Sequence, residues 1–232
     1  MSIDKATLRT RVLQAADATG SSWRWDITAG GEVDFWIGQV HDAEWARILN
    51  VNQYYRVGRR TPTSDASGRY LVSDLSSGSG DSAERFYRVI AFAVDNTVYK
   101  QVEAKDFVID PSSSNGLLTP WYYWWFEGDY IKALPEQANK QADVVIVNHR
   151  PTRYDSLSGE SVNVPFPDGY ESVIVLEAAA ALLNKGGVES GAAMALKAEA
   201  EVVRNAMLQD LARKSTNPTQ MRYDDYAQDW GG

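Results

Sequence analysis

Two histidines, a serine- and aspartate-rich tract, a double glycine and six consecutive aromatic residues are the places where this chain could do chemistry. His41-Asp42 sets an acid beside a base, but adjacent residues on a helix do not face each other, and the other histidine, His149, lies in a different element. A lone surface histidine is the plainer reading. The tract Ser73 to Ser82 carries Asp74 and Asp81, two carboxylates that could cradle a cation. It lacks the regular oxygen-ligand spacing of a calcium loop, which leaves a hairpin tip. Gly186-Gly187 sits outside any G-x-x-x-x-G-K-[ST] pattern, so it reads as a turn between helices and not as a phosphate cradle. No catalytic, cofactor-binding or metal-ligating residue is assigned, no cofactor is expected, and the chain is read as a non-enzyme.

The aromatic block Trp121-Tyr122-Tyr123-Trp124-Trp125-Phe126 is harder to set aside. In a strand, Trp121, Tyr123 and Trp125 face one way and Tyr122, Trp124 and Phe126 the other, so large rings stand on both faces. One face can enter a core; the other needs a partner. A strand sandwiched between layers, a subunit interface built on Trp121, Tyr123 and Trp125, and a sugar-binding platform all fit, because Trp and Tyr concentrate at interface hot spots and also fill small β cores. A second aromatic set, Tyr223, Tyr226 and Trp230, lies in a polar tail among Asp224, Asp225, Gln228 and Asp229. Rings three or four residues apart in such a segment suit ordering on a docking groove.

Composition bounds what these residues can serve. A chain of 232 residues with 44% hydrophobic content can bury a sizeable core. A formal charge of −8 has the wrong sign for gripping phosphates over a broad surface. There is no cysteine, which removes disulfides, thiolate nucleophiles and the common structural zinc sites together. No run of about 18 or more apolar residues is present, so a soluble protein without membrane contact is expected.

The elements that must position these groups are readable in outline. Leu8, Val12, Ala15 and Ala16 predict a helix over 4–18, and Val33, Trp36, Ile37, Val40 and Ile48 predict a second over 32–50 with Trp45 on its shoulder. Short β-rich runs follow: Tyr54 to Val57, Arg69 to Val72, Arg85 to Val94, Val98 to Val102, Phe107 to Ile109, Trp121 to Phe126 and Val144 to Val147. Asp168 with Glu171 signals a helix starting near Gly169, whose apolar positions run to Leu182. After the double glycine, Ala193, Leu196, Ala200, Val203, Met207 and Leu211 repeat in steps of three and four, and Asn217-Pro218 ends the pattern. Leu196, Val203, Met207 and Leu211 are expected to be buried against the preceding helix. The predicted class is α+β: a helical bundle with a long C-terminal helical hairpin and an inserted small antiparallel β module. Its parts would be N-terminal helices over 1–52, the β-rich module over 53–150, the helical hairpin over 151–214 and an extended tail over 215–232.

In this order of parts the chain resembles the head-to-tail adaptor (connector) proteins of tailed bacteriophages. The likeness lies in Tyr130-Ile131-Lys132-Ala133-Leu134-Pro135, in Ala142 to Val147 leading to Arg150-Pro151, in the apolar helix Val173 to Lys185, and in the helix carrying Glu199, Arg204, Met207, Leu208, Leu211 and Arg213. It covers about the second half of the chain. The resemblance implies a structural protein of the virion neck, seated as a ring of roughly twelve copies below the portal. It would join the portal protein to tail or nozzle proteins while DNA passes through the channel without sequence-specific binding. Tyr223, Tyr226 and Trp230 would then be the portal-docking tail. Another neck or tail component, or a carbohydrate-binding virion protein using the tryptophan-rich strand, are the alternatives.

Overall fold

A computed structural model describes residues 3–16, 31–78, 80–102, 122–186 and 190–216. The chain divides into two compact units, one comprising Met1–Tyr55, Gly80–Ser82 and Pro151–Gly232, the other Arg56–Ser79 and Ala83–Arg150.

The first unit is helical. Helix α1 (Lys5–Ala15) starts at Asp4, whose carboxylate accepts the Thr7 amide at 2.7 Å, and it buries Lys5, Leu8 and Val12. Helix α2 (Glu32–Val51) buries Val33, Asp34, Ile37, Gly38, His41, Glu44, Trp45, Ile48 and Leu49. That face is rotated from the one apolar spacing predicts: Trp45 enters the core while Trp36 and Val40 stay half-buried. Three polar residues share the buried face because each finds a partner there. Asp34 takes a two-pronged bond from Arg9 at 2.7 Å per prong, His41 Nε2 lies 2.9 Å from the Pro165 carbonyl, and Glu44 holds Arg204.

Helix α3 (Ser172–Gly186) starts later than the capping signal suggests. Gly169 adopts φ +86 in a turn closed by the Tyr170 amide on the Pro167 carbonyl, so the helical path cannot begin there. Glu171 does reach back as such signals require, accepting the Gly169 amide at 3.0 Å. Val173, Ile174, Ala178, Ala179, Ala180 and Leu182 are fully buried, leaving α3 apolar on nearly every side. It therefore packs against α1, α2 and α4 at once. Helix α4 (Ser190–Thr216) meets it along Ala193, Ala200, Met207 and Leu211. Leu196 and Val203 are only half-buried, in contrast to the sequence expectation; alanine and Arg204 occupy the positions closest to the neighbouring helices. Arg204, itself 5% exposed, bonds Glu44 at 3.0 Å and also reaches Glu177 and Glu201.

The second unit is one seven-stranded sheet in the order β1-β7-β3-β4-β5-β6-β2, curled into a half-barrel. Its strands are β1 (Val57–Arg60), β2 (Arg69–Leu71), β3 (Glu84–Val94), β4 (Thr97–Gln101), β5 (Tyr123–Glu127), β6 (Tyr130–Leu134) and β7 (Val144–Pro151). Asp95 and Asn96, both at positive φ, turn β3 into β4, and Gly128 at φ +58 turns β5 into β6. Strands β4 and β5 run parallel, pairing Lys100 with Tyr123 and Gln101 with Trp124. Tyr70, Phe92, Tyr99, Trp124, Ile131, Val145 and Val147 fill the interior.

These findings correct the predicted fold class. The β part, inserted between Tyr55 and Pro151, is not a small antiparallel module but a seven-stranded mixed sheet, and the helical part is not a bundle with a long C-terminal hairpin. The physical reason for the second correction is the all-round apolar surface of α3, which makes it a central helix with neighbours on three sides. The first follows from the parallel β4–β5 pair and from β6, whose alternation carries Ile131 and Ala133 inward. Strand β1 begins at Val57 because Arg56, at φ +53, breaks the extended path expected from Tyr54. The run Phe107 to Ile109 lies outside the described residues.

Candidate assembly surface

The aromatic block becomes β5, and the two-residue period decides which rings are used for what. Trp124 is 2% exposed, lying 6.2 Å from Phe92 and 5.4 Å from Phe126. Tyr123 and Trp125 point to the opposite side and are half-buried. The ladder sets three cross-strand rows on that outer side. Lys100, Tyr123 and Leu134 form one row, Trp125, Lys132 and Arg69 the next, and Glu127, Tyr130 and Leu71 the third. Val98, two residues before Lys100 on β4, extends the surface and is 72% exposed.

Charges on this side are held in place. The Arg69 guanidinium lies 4.6 Å from the Tyr130 ring centroid and pairs with Asp65 at 2.8 Å, while Lys132 pairs with Glu127 at 2.6 Å. Rigid rings alternating with fixed cations and apolar side chains make a surface suited to specific protein contact. Leu71 and Val98 were not singled out from the sequence, and Tyr130 only as the start of a stretch behind the likeness, although the alternation of Tyr130, Lys132 and Leu134 with Ile131 and Ala133 carries the signal. Trp121 lies outside the described residues, as do Tyr223, Tyr226 and Trp230.

The other candidates separate. His41 is buried in the helical unit, where Trp45 donates its indole N–H to the same Pro165 carbonyl at 2.9 Å. It is a core residue and not the surface histidine the sequence suggested. His149 is buried in the sheet unit: Nε2 donates to the Leu75 carbonyl at 2.9 Å, and Nδ1 lies 3.5 Å from Glu84. Burial pushes its pKa below the usual histidine range, helped by Arg60 and Arg56. Along the tract Ser73 to Ser82 lie two short 3₁₀ turns, Val72–Leu75 and Gly80–Ser82, and Ser77 pairs antiparallel with Glu84 through two backbone hydrogen bonds, as a hairpin tip requires. Asp74 belongs to the sheet unit, whereas Asp81 accepts the amide and hydroxyl of Ser158 at 2.6 Å each within the helical unit. Among the described residues, no three His, Cys, Asp or Glu side chains are grouped to hold a metal ion. No described helix is long and apolar enough to cross a membrane.

The chain matches no family model and no curated protein.

Proposed function

We propose that this protein is a structural head-to-tail adaptor of a tailed phage, forming a ring below the portal that joins it to the tail and encloses the DNA channel. One observation supports the reading: each of the four stretches behind the likeness centres on a single element, β6, β7, α3 or α4, with one short 3₁₀ turn (Tyr154–Ser156) between β7 and α3. The outer side of β4, β5, β6 and β2, with Tyr123, Trp125 and Tyr130, supplies a surface on which a neighbouring copy would pack. The tail residues Tyr223, Tyr226 and Trp230 would dock on the portal, and the acidic balance of the chain suits a channel that lets DNA slide.

Electron microscopy of the purified protein, alone and mixed with its portal, tests the reading. A closed ring seated on the portal's lower face is the expected image. Trp125→Ala should weaken ring closure, and removal of residues 217–232 should weaken co-sedimentation with portal while leaving the circular dichroism spectrum unchanged. A protein that stays monomeric with portal and instead retains glycans on an array would overturn it.

A further inference from the structure

The sheet of the second unit ends on one side in β2 and on the other in β1. At β2 the outward groups of Arg69 are taken: its amide donates to the Asp65 carboxylate and its carbonyl accepts the Asp65 amide, both at 2.9 Å. The β1 edge has no such closure. We infer that it takes up an acidic, extended segment of a partner protein as an additional strand, a function independent of the aromatic side of the sheet.

The ladder fixes which backbone groups are on offer. His149 donates its amide to the Arg56 carbonyl at 3.1 Å, so Gly58 and Arg60 turn their amides toward β7 while Val57 and Arg59 turn theirs away. Beyond β1 the alternation continues. The Pro62 carbonyl accepts the Ala142 amide and the Ser64 amide donates to the Lys140 carbonyl, each at 2.9 Å, which leaves Thr61 and Thr63 facing outward. Pro62, lacking an N–H, therefore falls where it removes nothing from the outer edge. Among the described residues, the outward amides of Val57, Arg59, Thr61 and Thr63 have no hydrogen-bond partner. Arg59, Thr61 and Thr63 are exposed, so another chain can reach them. From Val57 to Thr63 these positions span about 20 Å, the length of an ordinary strand.

Charge decides which strand. From Arg56 to Ser64 there are three arginines and no acidic residue, in a chain whose formal charge is −8. Arg56 and Arg60 share one carboxylate, that of Glu84, at 2.8 and 3.8 Å. The Arg59 guanidinium donates to a neutral group, the Asp143 carbonyl, at 3.1 Å, which holds the side chain without cancelling its charge. A second β1 laid along this one would bring arginines together, and like charges across strands repel. The edge is thus shut to self-pairing and open to a segment whose carboxylates fall beside Arg59, with main-chain bonds supplying affinity and charge the selection.

The test is an NMR titration of the full chain with a peptide of about seven residues that alternates valine and glutamate, beside its valine–lysine counterpart and a fully N-methylated copy of the glutamate peptide. The glutamate peptide should give saturable shifts at the amides of Val57, Arg59, Thr61 and Thr63 and slow their hydrogen exchange. The lysine peptide should bind at least about tenfold more weakly, and so should the methylated copy, which keeps the charge but cannot donate to a ladder. Arg59→Glu should weaken binding of the glutamate peptide about two- to fivefold, with Arg59→Gln giving a smaller loss at the same exposed position. The inference is overturned if these amides do not respond, if the lysine peptide or the methylated copy binds as well, or if Arg59→Glu leaves binding unchanged.

Discussion

At the scale of single residues, the two units are each fastened by a buried polar group in unlike ways. Arg204 is held by Glu44, whose side chain is 1% exposed, together with Glu177 and Glu201. Replacement by Met leaves the Glu44 charge buried, with the half-exposed Arg47 as its remaining cation among the described residues. Arg204→Met should cost about 3 kcal/mol in a urea unfolding experiment, and adding Glu44→Leu should restore most of it, because loss of both charges removes the desolvation cost that loss of one exposes. His149 works by remaining neutral. Its folded pKa lies below the ordinary 6.5, so the unfolded chain binds more protons on the acid side of that value. Its contribution is therefore fully present above about pH 6.5 and is lost as the pH falls through the folded pKa. Unfolding measured across pH 5 to 8 should show this slope in the native protein and a shallower one in His149→Gln. Gly58 belongs to the same site: a Cβ there would stand 2.5 Å from Cε1 of His149, so Gly58→Ala should destabilise the sheet unit.

At the scale of elements, the α3–α4 seam is set by small residues. Met207→Ala should cost about 2 to 5 kcal/mol, since that side chain is fully buried, and Leu196→Ala clearly less. Ala200→Leu should cost about 1 to 3 kcal/mol by overfilling a position with no exposed surface. Equilibrium unfolding of the three variants checks the order. The helices themselves were legible because their periods are local: α2 spans Glu32–Val51 where 32–50 was expected, and the run Arg85 to Val94 became β3. The buried face of α2 was not, because Asp34, His41 and Glu44 look like surface residues until Arg9, Pro165 and Arg204 are brought to them from distant parts of the chain. Strand order was equally hidden. Pairing β4 parallel to β5 is a non-local choice that leaves no mark on either strand. Within the aromatic block, alternation separated Trp124 from Tyr123 and Trp125, but the rows joining them to Lys100, Lys132 and Tyr130 needed the register.

At the scale of the whole molecule, 31 acidic against 23 basic residues leave little to gain from counterion release. Titration with duplex DNA should show no sequence preference, and any residual affinity should collapse as salt rises; tight selective binding at physiological salt would exclude a passive conduit. The way the chain is divided between its units also sets the timing of its birth. The sheet unit is complete once β7 has left the ribosome, whereas α1 and α2 must wait for α3, which begins about 120 residues after α2 ends. At typical elongation speeds that wait lasts roughly 6 to 24 s. Glu44 waits longer, since Arg204 sits on the last helix to be made. The newborn protein thus carries a finished sheet before its helices are finished, and chains truncated after Gly169, which lack α3, should lose α1 and α2 to a protease while the sheet unit survives.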